Sequence, residues 1–221
     1  YNVNLGEKVL IKNIKFIGDK KFKNRKLRQI IVSEENKFWK FLSTKKYLNQ
    51  NQIQLDERLL LNFYRDNGYY KANVESSTAK FIDEQNFEVT YNINAGKKFI
   101  FNDLKITLPT DYKRENFSEI SDTFIELKNT SYSLKKIDKI LKEIDKIALS
   151  QQYEFINAKV EENIIDDNKL NLTFIINETE KNYVEKINII GNSITRENVI
   201  RNALLVDEGD AFNEILHNKS I

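Results

Sequence analysis

The eight residues FEVTYNIN, from Phe87 to Asn94, come back 83 positions later as LNLTFIIN, from Leu170 to Asn177. Apolar and polar residues alternate in both copies, which is typical of a β-strand with one buried face. The end of the first copy with its continuation, YNINAG at Tyr91 to Gly96, also matches YNVNLG at Tyr1 to Gly6. Recurrence of strand-like phrases at a nearly constant step indicates tandem domains.

A second phrase recurs in register with the first. It reads LIKNIKFIG from Leu10 to Gly18, IFNDLKITL from Ile100 to Leu108, and YVEKINIIG from Tyr183 to Gly191. Each copy is rich in Ile, Phe and Leu, and two copies stop at a glycine, so the phrase predicts the opening strand of each unit. Two independent phrases in the same order are not expected from chance composition.

Helical periodicity fills the space between these strands. Asn24 is a candidate cap for a short first helix with Leu27, Ile30 and Ile31 on one face. A second helix is predicted from about Gln52 to Asn67, and its counterpart runs from Ser133 to Ser150. The residues predicted to face inward are Leu55, Leu59, Leu60 and Phe63 in the former, and Leu134, Ile137, Leu141, Ile144 and Ala148 in the latter.

Each second helix leads into a matched strand, Tyr70 to Glu75 in one unit and Ile156 to Glu161 in the next. The unit is therefore strand, helix, helix, strand, strand. We expect an α+β fold in which each β-α-α-β-β unit has a three-stranded mixed sheet covered on one face by two helices. The expected domains are residues 9–96 and 97–179, with 1–8 the tail of a preceding domain and 180–221 the N-terminal part of a truncated third.

Composition excludes several classes of function. The 35 basic and 33 acidic residues leave a net charge of +2, so a nucleic-acid partner is not expected. No cysteine is present, which excludes disulfides and thiolate metal sites. The single histidine, His217, has no catalytic partner at a recognisable spacing, and the acidic clusters at 166–167 and 207–210 lack calcium-loop spacing. We expect a protein that is not an enzyme and binds no cofactor or metal.

In register, three phrases carry a family likeness: IKFIGDKKF from Ile14, YRDNGYYKANV from Tyr64, and INIIGNSIT from Ile187. They resemble POTRA domains, tandem copies of which form the periplasmic arm of Omp85-family outer-membrane insertases. The order of units is similar to the third domain, the fourth and the start of the fifth in such an arm. Other Omp85 relatives, such as TamA or a two-partner secretion transporter, are the first alternative. A division scaffold of the FtsQ type is a second alternative, disfavoured because it carries a single such domain.

The resemblance implies a periplasmic location, attachment to the outer membrane through a barrel domain absent from this chain, and no catalysis. Its implied partners are unfolded outer-membrane protein precursors and accessory lipoproteins. The second strand of the unit is the family's exposed edge, where a client strand adds by backbone pairing. Here that edge would comprise Lys71, Ala72, Asn73, Val74 and Glu75. The alternative is that the polar residues among them only protect an edge from aggregation.

Two further groups of residues have open interpretations. Phe38, Trp39 and Phe41 lie in a long segment between the helices, where they either close the core of their own domain or dock a partner. The resemblance also implies that Arg201 and Glu208 lie where an accessory lipoprotein docks. The alternative for this pair is two ordinary surface charges.

Overall fold

The computed structural model describes residues 9–37, 43–151, 153, 156–178, 182–192 and 195–210. In chain order the elements are β1 (Leu10–Asp19), α1 (Asn24–Arg28), α2 (Gln50–Asp66), β2 (Asn73–Asp83), β3 (Asn86–Asn94), β4 (Ile100–Thr107), α3 (Ser118–Leu127, preceded by a 3-10 turn at Arg114–Phe117), α4 (Leu134–Ser150), β5 (Ile156–Asp166), β6 (Lys169–Glu178) and α5 (Glu197–Arg201). The chain divides into two compact units, Tyr1–Ile100 with Ser131–Lys136 and Phe101–Thr130 with Ile137–Ile221.

The first unit contains a three-stranded sheet in the order β1-β3-β2. Strand β1 runs parallel to the central strand β3, and β2 runs antiparallel to it. The alternation in FEVTYNIN puts Phe87, Val89, Tyr91 and Ile93 on the buried face of β3. Of these side chains, Val89, Tyr91 and Ile93 pack into one core with Ile11 and Ile14 from β1 and Leu27 and Leu60 from the helices.

The second unit repeats this arrangement with a sheet in the order β4-β6-β5. Its central strand β6 buries Leu170, Leu172, Phe174 and Ile176, the matched positions of LNLTFIIN. Helix α4 buries Ile137, Ile140, Ile144 and Ala148, so Ile140 takes the place predicted for Leu141. The two sheets with their helices confirm the predicted α+β class and the strand-helix-helix-strand-strand order.

The buried face of helix α2 includes Leu60, as predicted, but is rotated away from Leu55. Its buried residues are Asp56, Leu60 and Tyr64, whereas Leu55 is 36% exposed. A helix face containing an aspartate reads as polar in the sequence, so the predicted stripe was displaced towards Leu55. The fold accommodates this carboxyl group because it is fully hydrogen-bonded, as buried polar groups must be.

The Asp56 side chain links three parts of the first unit. Its Oδ1 accepts hydrogen bonds from the backbone N–H groups of Val32 (2.6 Å) and Ser33 (3.2 Å). Its Oδ2 accepts one from the hydroxyl group of Tyr91 at 2.7 Å. Burial, together with the neighbouring Asp56 charge, raises the pKa of Tyr91 above its ordinary range. Helix α2 is thus fixed to the preceding loop and to the central strand.

The described residues of the third segment contain helix α5 but no strand. The predicted strand at Tyr183–Gly191 was wrong for these residues, which are irregular apart from a single bridge at Tyr183. A β-strand is stabilised by a ladder of hydrogen bonds to a neighbouring strand. Among residues 182–192 and 195–210 there is no second strand to supply that ladder.

Candidate functional site

The edge of each sheet is occupied by a long strand. In the first unit, β2 pairs with β3 from Asn73 opposite Asn94 to Asp83 opposite Asn86, and within the described residues it pairs on that side only. In the second unit β5 takes the same position and, among the residues that the structure describes, pairs with β6 alone. Each edge strand is 11 residues long. Their outer sides present N–H and C=O groups that can pair with an added strand.

The five residues predicted for the client-binding edge lie at the start of β2. The strand begins at Asn73 and not at Tyr70, so Lys71 and Ala72 precede it, and Ala72 is buried. Residues 69–72 form a turn closed by the N–H of Ala72, which donates to the carbonyl of Tyr69 at 3.1 Å. Only Asn73, Val74 and Glu75 therefore belong to the strand itself.

A β-bulge between Val74 and Ser76 changes which side chains face the helices. Beyond it, Ser77, Ala79 and Phe81 lie opposite the buried residues of β3, whereas unbroken alternation from Val74 would have put Ser76 and Thr78 there. Sequence reasoning missed this reversal, because the run Ser76-Ser77-Thr78 has no apolar pattern that could reveal it. The polar set Ser76, Thr78 and Lys80 lies on the opposite face of the sheet.

Glu75 is engaged within its own sheet. Its carboxylate accepts hydrogen bonds from the side-chain amides of Asn92 (2.9 Å) and Asn94 (3.0 Å) on the neighbouring strand. These contacts cross the face of the sheet turned away from the helices and hold β2 against β3 next to the bulge. The predicted site residue Glu75 therefore stabilises the edge strand and leaves the backbone as the group available for pairing.

A groove runs beside β2 on its helix side. It is lined by Leu48, by Gln50, Ile53, Gln54 and Glu57 from α2, and by Ser77 and Ala79 from β2. The hydroxyl group of Ser77 donates to the carboxylate of Glu57 across it. An added strand turns every second side chain towards this side, so the groove would contact alternate residues of such a strand.

Both edge strands expose large apolar side chains where they reach their hairpin turns. Phe81 is 62% exposed and Ile82 is 44% exposed in β2, and the matched residues of β5, Ile164 and Ile165, are 41% and 46% exposed. The ring of Phe81 contacts that of Phe87 in a tilted arrangement, with ring centroids 3.9 Å apart. The far end of each edge thus offers apolar surface as well as backbone groups.

The loop aromatics Phe38, Trp39 and Phe41 lie outside the described residues. Among the described residues, no group of His, Cys, Asp and Glu side chains is placed to hold a metal ion, and no helix is long and apolar enough to cross a membrane.

Arg201 and Glu208 are brought together in the third segment. The Nη1 atom of Arg201 lies 3.1 Å from Oε1 of Glu208, and Arg201 also donates to Glu197 and to the carbonyl of Ile187. The N–H group of Ile187 donates to Glu208 at 3.0 Å, and this bond, followed by Arg201, lowers the pKa of the Glu208 carboxyl. The two charges therefore form an internal ion pair, with side chains still 36% and 43% exposed.

The first unit matches a known protein family. Residues 9–96 match the family model for POTRA, described as a surface antigen variable number repeat. Residues 9–96 form a POTRA domain. The family predicted from the phrases of the sequence is thereby confirmed, and the edge strand β2 lies within the matched range.

Two relatives that match over nearly the whole chain share one name. The outer membrane protein assembly factor BamA of Neorickettsia risticii is 21% identical over 203 residues, covering 92% of this chain and 27% of that protein. BamA of Buchnera aphidicola is 27% identical over 223 residues, covering 96% of this chain and 34% of the relative. The chain thus spans about a quarter to a third of the length of these relatives.

Solved structures show the same fold. The crystal structure of Haemophilus influenzae BamA POTRA3-5 matches with a TM-score of 0.67 at 17% identity, over 97% of this chain and 84% of that one. BamA of Haemophilus ducreyi lacking POTRA domains 1-3 matches with a TM-score of 0.54 at 13% identity, over 78% of this chain and 30% of that one. The chain has the fold of tandem POTRA domains.

Proposed function

We propose that this chain is a periplasmic arm segment of a BamA-like outer membrane assembly factor, and that its edge strands receive unfolded outer-membrane barrel precursors. Its role is scaffolding, without catalysis, and a barrel domain outside this chain attaches it to the outer membrane. The domains are residues 9–96 and 97–179, flanked by parts of two others at 1–8 and 180–221. The observation that carries the proposal is a pair of long, one-sided edge strands, β2 and β5, in a tandem POTRA fold.

The length of these strands fits the proposed client. A transmembrane β-strand has about 9–11 residues, whereas strands of globular proteins most often have about 5–6. Strands β2 and β5 have 11 residues each. One segment of a barrel precursor can therefore pair along the whole edge. Because the pairing uses main-chain groups, it tolerates the varied sequences of such precursors.

The side chains beside β2 also suit a barrel strand. Such strands alternate apolar residues, which face lipid, with polar residues, which face the lumen. Leu48, Ile53 and Ala79 give the helix side of the edge an apolar lining, whereas Thr78 and Lys80 make the other side polar. An added barrel strand can place its two faces accordingly. Side chains then bias the register, and the backbone supplies the affinity.

Site-specific cross-linking tests strand capture. A photo-reactive residue at Thr78, on the exposed edge, is compared with one at Asn62, an exposed position of α2 in the same unit. The full 221-residue chain is incubated with an unfolded barrel precursor. We expect several-fold stronger labelling from position 78 than from position 62. Equal labelling from the two positions would reject capture at the edge.

The lipoprotein contact is proposed for Arg201 and Glu208, whose ion pair is partly exposed and can direct a charged partner. Glu208→Lys removes the acceptor of both Arg201 and the Ile187 N–H group, so it also disturbs the local structure. A matched control is available because Glu35 makes the same contacts in the first unit. Loss of lipoprotein co-purification with Glu208→Lys but not with Glu35→Lys is expected, and equal recovery with both variants would reject docking at this corner.

A further inference from the structure

The opposite edge of the first sheet is covered along its outer side. Strand β1 is the other edge in the order β1-β3-β2. At its start the chain covers it with main-chain hydrogen bonds: the N–H of Leu48 donates to the carbonyl of Val9 at 2.9 Å, and the N–H of Ile11 donates to the carbonyl of Lys46 at 2.8 Å. The N–H of Asn36 donates to the carbonyl of Ile11 at 2.7 Å. Backbone pairing by a client is thereby excluded from this end of β1.

Further along β1, two side chains take over from the backbone. The N–H of Ile14 donates to Oε1 of Glu35 at 3.1 Å, and Nη2 of Arg28 donates to the carbonyl of Ile14 at 2.8 Å. Arg28 and Glu35 are themselves 2.8 Å apart. Beyond them, the ammonium group of Lys20 donates to the carbonyl of Phe16 at 3.0 Å. The Glu35 carboxylate and the Arg28 guanidinium thus satisfy the outward N–H and C=O groups of Ile14. One residue of a neighbouring strand would make the same two hydrogen bonds.

The same device occurs in the third segment. There Glu208 accepts the N–H of Ile187 at 3.0 Å and Arg201 donates to the carbonyl of Ile187 at 2.9 Å. Residues 14, 28 and 35 correspond to residues 187, 201 and 208, each 173 positions later. We call the pair of side chains in each copy the Arg–Glu clamp. Its recurrence at the same three positions in two copies of the repeat indicates that it is not a chance surface contact.

The second unit lacks the clamp at the matched positions. They hold Ser118 and Ile125, which cannot form an ion pair, and the Ile125 side chain is 74% exposed. The clamp is thus present in particular repeats only, and a sheet covered by two helices can form without it.

We propose that the Arg–Glu clamp closes the outer edge of β1 in the first unit, so that an extended polypeptide adds only at β2. The clamp occupies the hydrogen-bonding positions that an added strand needs, and an edge closed by charged side chains resists edge-to-edge pairing. One-sided closure limits the first unit to one added strand, at β2. That consequence rests on the proposed strand capture, whereas the closure itself is a property of the chain alone.

Amide exchange tests the closure without a client. In the variant Arg28→Ala with Glu35→Ala, we expect the Ile14 amide to exchange about tenfold faster or more, because a hydrogen bond to a charged group is worth roughly that factor. The rate is expressed relative to the amide of Val89 in the central strand, which reports global opening. The matched control, Lys15→Ala with Glu88→Ala, removes a 2.9 Å ion pair from the same sheet and should leave the ratio unchanged.

An unchanged ratio in the clamp variant, or an equal change in the control, overturns the proposal. If the double variant does not fold, Glu35→Gln is measured in the same way, because it replaces the charged acceptor of the Ile14 N–H by a neutral amide oxygen. A smaller increase is then expected, and an unchanged ratio is decisive against closure.

Cross-linking separates the closure from strand capture. A photo-reactive residue is placed at Ile17 of β1 or at Thr78 of β2, and an 11-residue peptide of alternating apolar and polar residues is added. The wild-type chain should be labelled only from position 78, and the clamp variant from both positions. Strong labelling of the wild-type chain from position 17 overturns the closure. Labelling from neither position rejects strand capture and leaves the exchange result to decide the closure.

Discussion

The buried carboxyl group of Asp56 should be one of the largest single contributors to the stability of the first unit. Asp56 is fully buried and accepts three hydrogen bonds, from the N–H groups of Val32 and Ser33 and from the hydroxyl of Tyr91. Asp56→Ala removes the only acceptor these contacts share. Each buried donor left unsatisfied costs about 1–3 kcal/mol, so we expect a loss of about 3–5 kcal/mol in the free energy of unfolding. That is a large share of the roughly 5–15 kcal/mol that stabilises a typical domain.

The assay is a urea titration of the full chain, followed through the amide signal of Val89 so that the first unit is observed by itself. Tyr91→Phe removes one donor and should cost about 1 kcal/mol in the wild-type background. In the Asp56→Ala background the same change deletes a hydroxyl group that has lost its acceptor, so it should be nearly neutral. The coupling between the two substitutions is then about 1 kcal/mol. A loss below about 1 kcal/mol for Asp56→Ala, or strictly additive substitutions, would refute the network.

Three further predictions concern other parts of the chain. Burial raises the pKa of Tyr112 to about 12, so its contribution to stability is complete below the ordinary tyrosine pKa near 10 and is lost as the pH rises towards 12. Tyr112→Phe should remove this loss of stability at alkaline pH, as measured by unfolding at several pH values. An unchanged pH profile would contradict the prediction. Gly18→Ala should lower the free energy of unfolding by about 2–4 kcal/mol, because φ is +83° and an added Cβ would overlap the backbone of β3. In the control Gly96→Ala, φ is +67° but the added Cβ meets no neighbour within 4 Å, so urea unfolding should show a loss of only about 1 kcal/mol. The carboxyl of Glu208 should titrate below its ordinary range in a carbon-detected NMR titration and move upwards in Arg201→Ala; because its folded pKa is lowered, its contribution is present above the ordinary pKa and is lost as the pH falls.

Most of the fold could be predicted from hydrophobic periodicity in the sequence. The alternation of FEVTYNIN and LNLTFIIN predicts the two central strands, and the apolar stripe of α4 predicts its buried face, because in both cases burial depends on side-chain hydrophobicity alone. The features that could not be predicted depend on hydrogen bonds between residues far apart in the sequence. Asp56 rotates the buried face of α2 away from Leu55, because its partners lie on the loop at residues 32–33 and on β3.

The candidate site was harder to predict in detail. Its position at a sheet edge follows from the order of elements, but the residue at which the strand starts depends on the turn at residues 69–72. Which side chains of the strand point towards the helices depends on a bulge in a run of hydroxyl residues. The Arg–Glu clamp was open to prediction in principle, since Arg28 and Glu35 recur at Arg201 and Glu208. The sequence alone does not show what the two charges bind, because their shared partner is a backbone group, that of Ile14 in one copy and of Ile187 in the other.

The central claim is that β2 receives an extended client by backbone pairing, and amide protection measures this most directly. An 11-residue peptide of alternating apolar and polar residues is added to the isotope-labelled chain, and exchange is followed for residues 73–83. We expect protection to rise at every second residue of β2, whose N–H groups point outwards, and to stay unchanged when the pairing amides of the peptide are N-methylated. No alternating protection, or equal protection by the methylated peptide, would contradict strand addition at this edge.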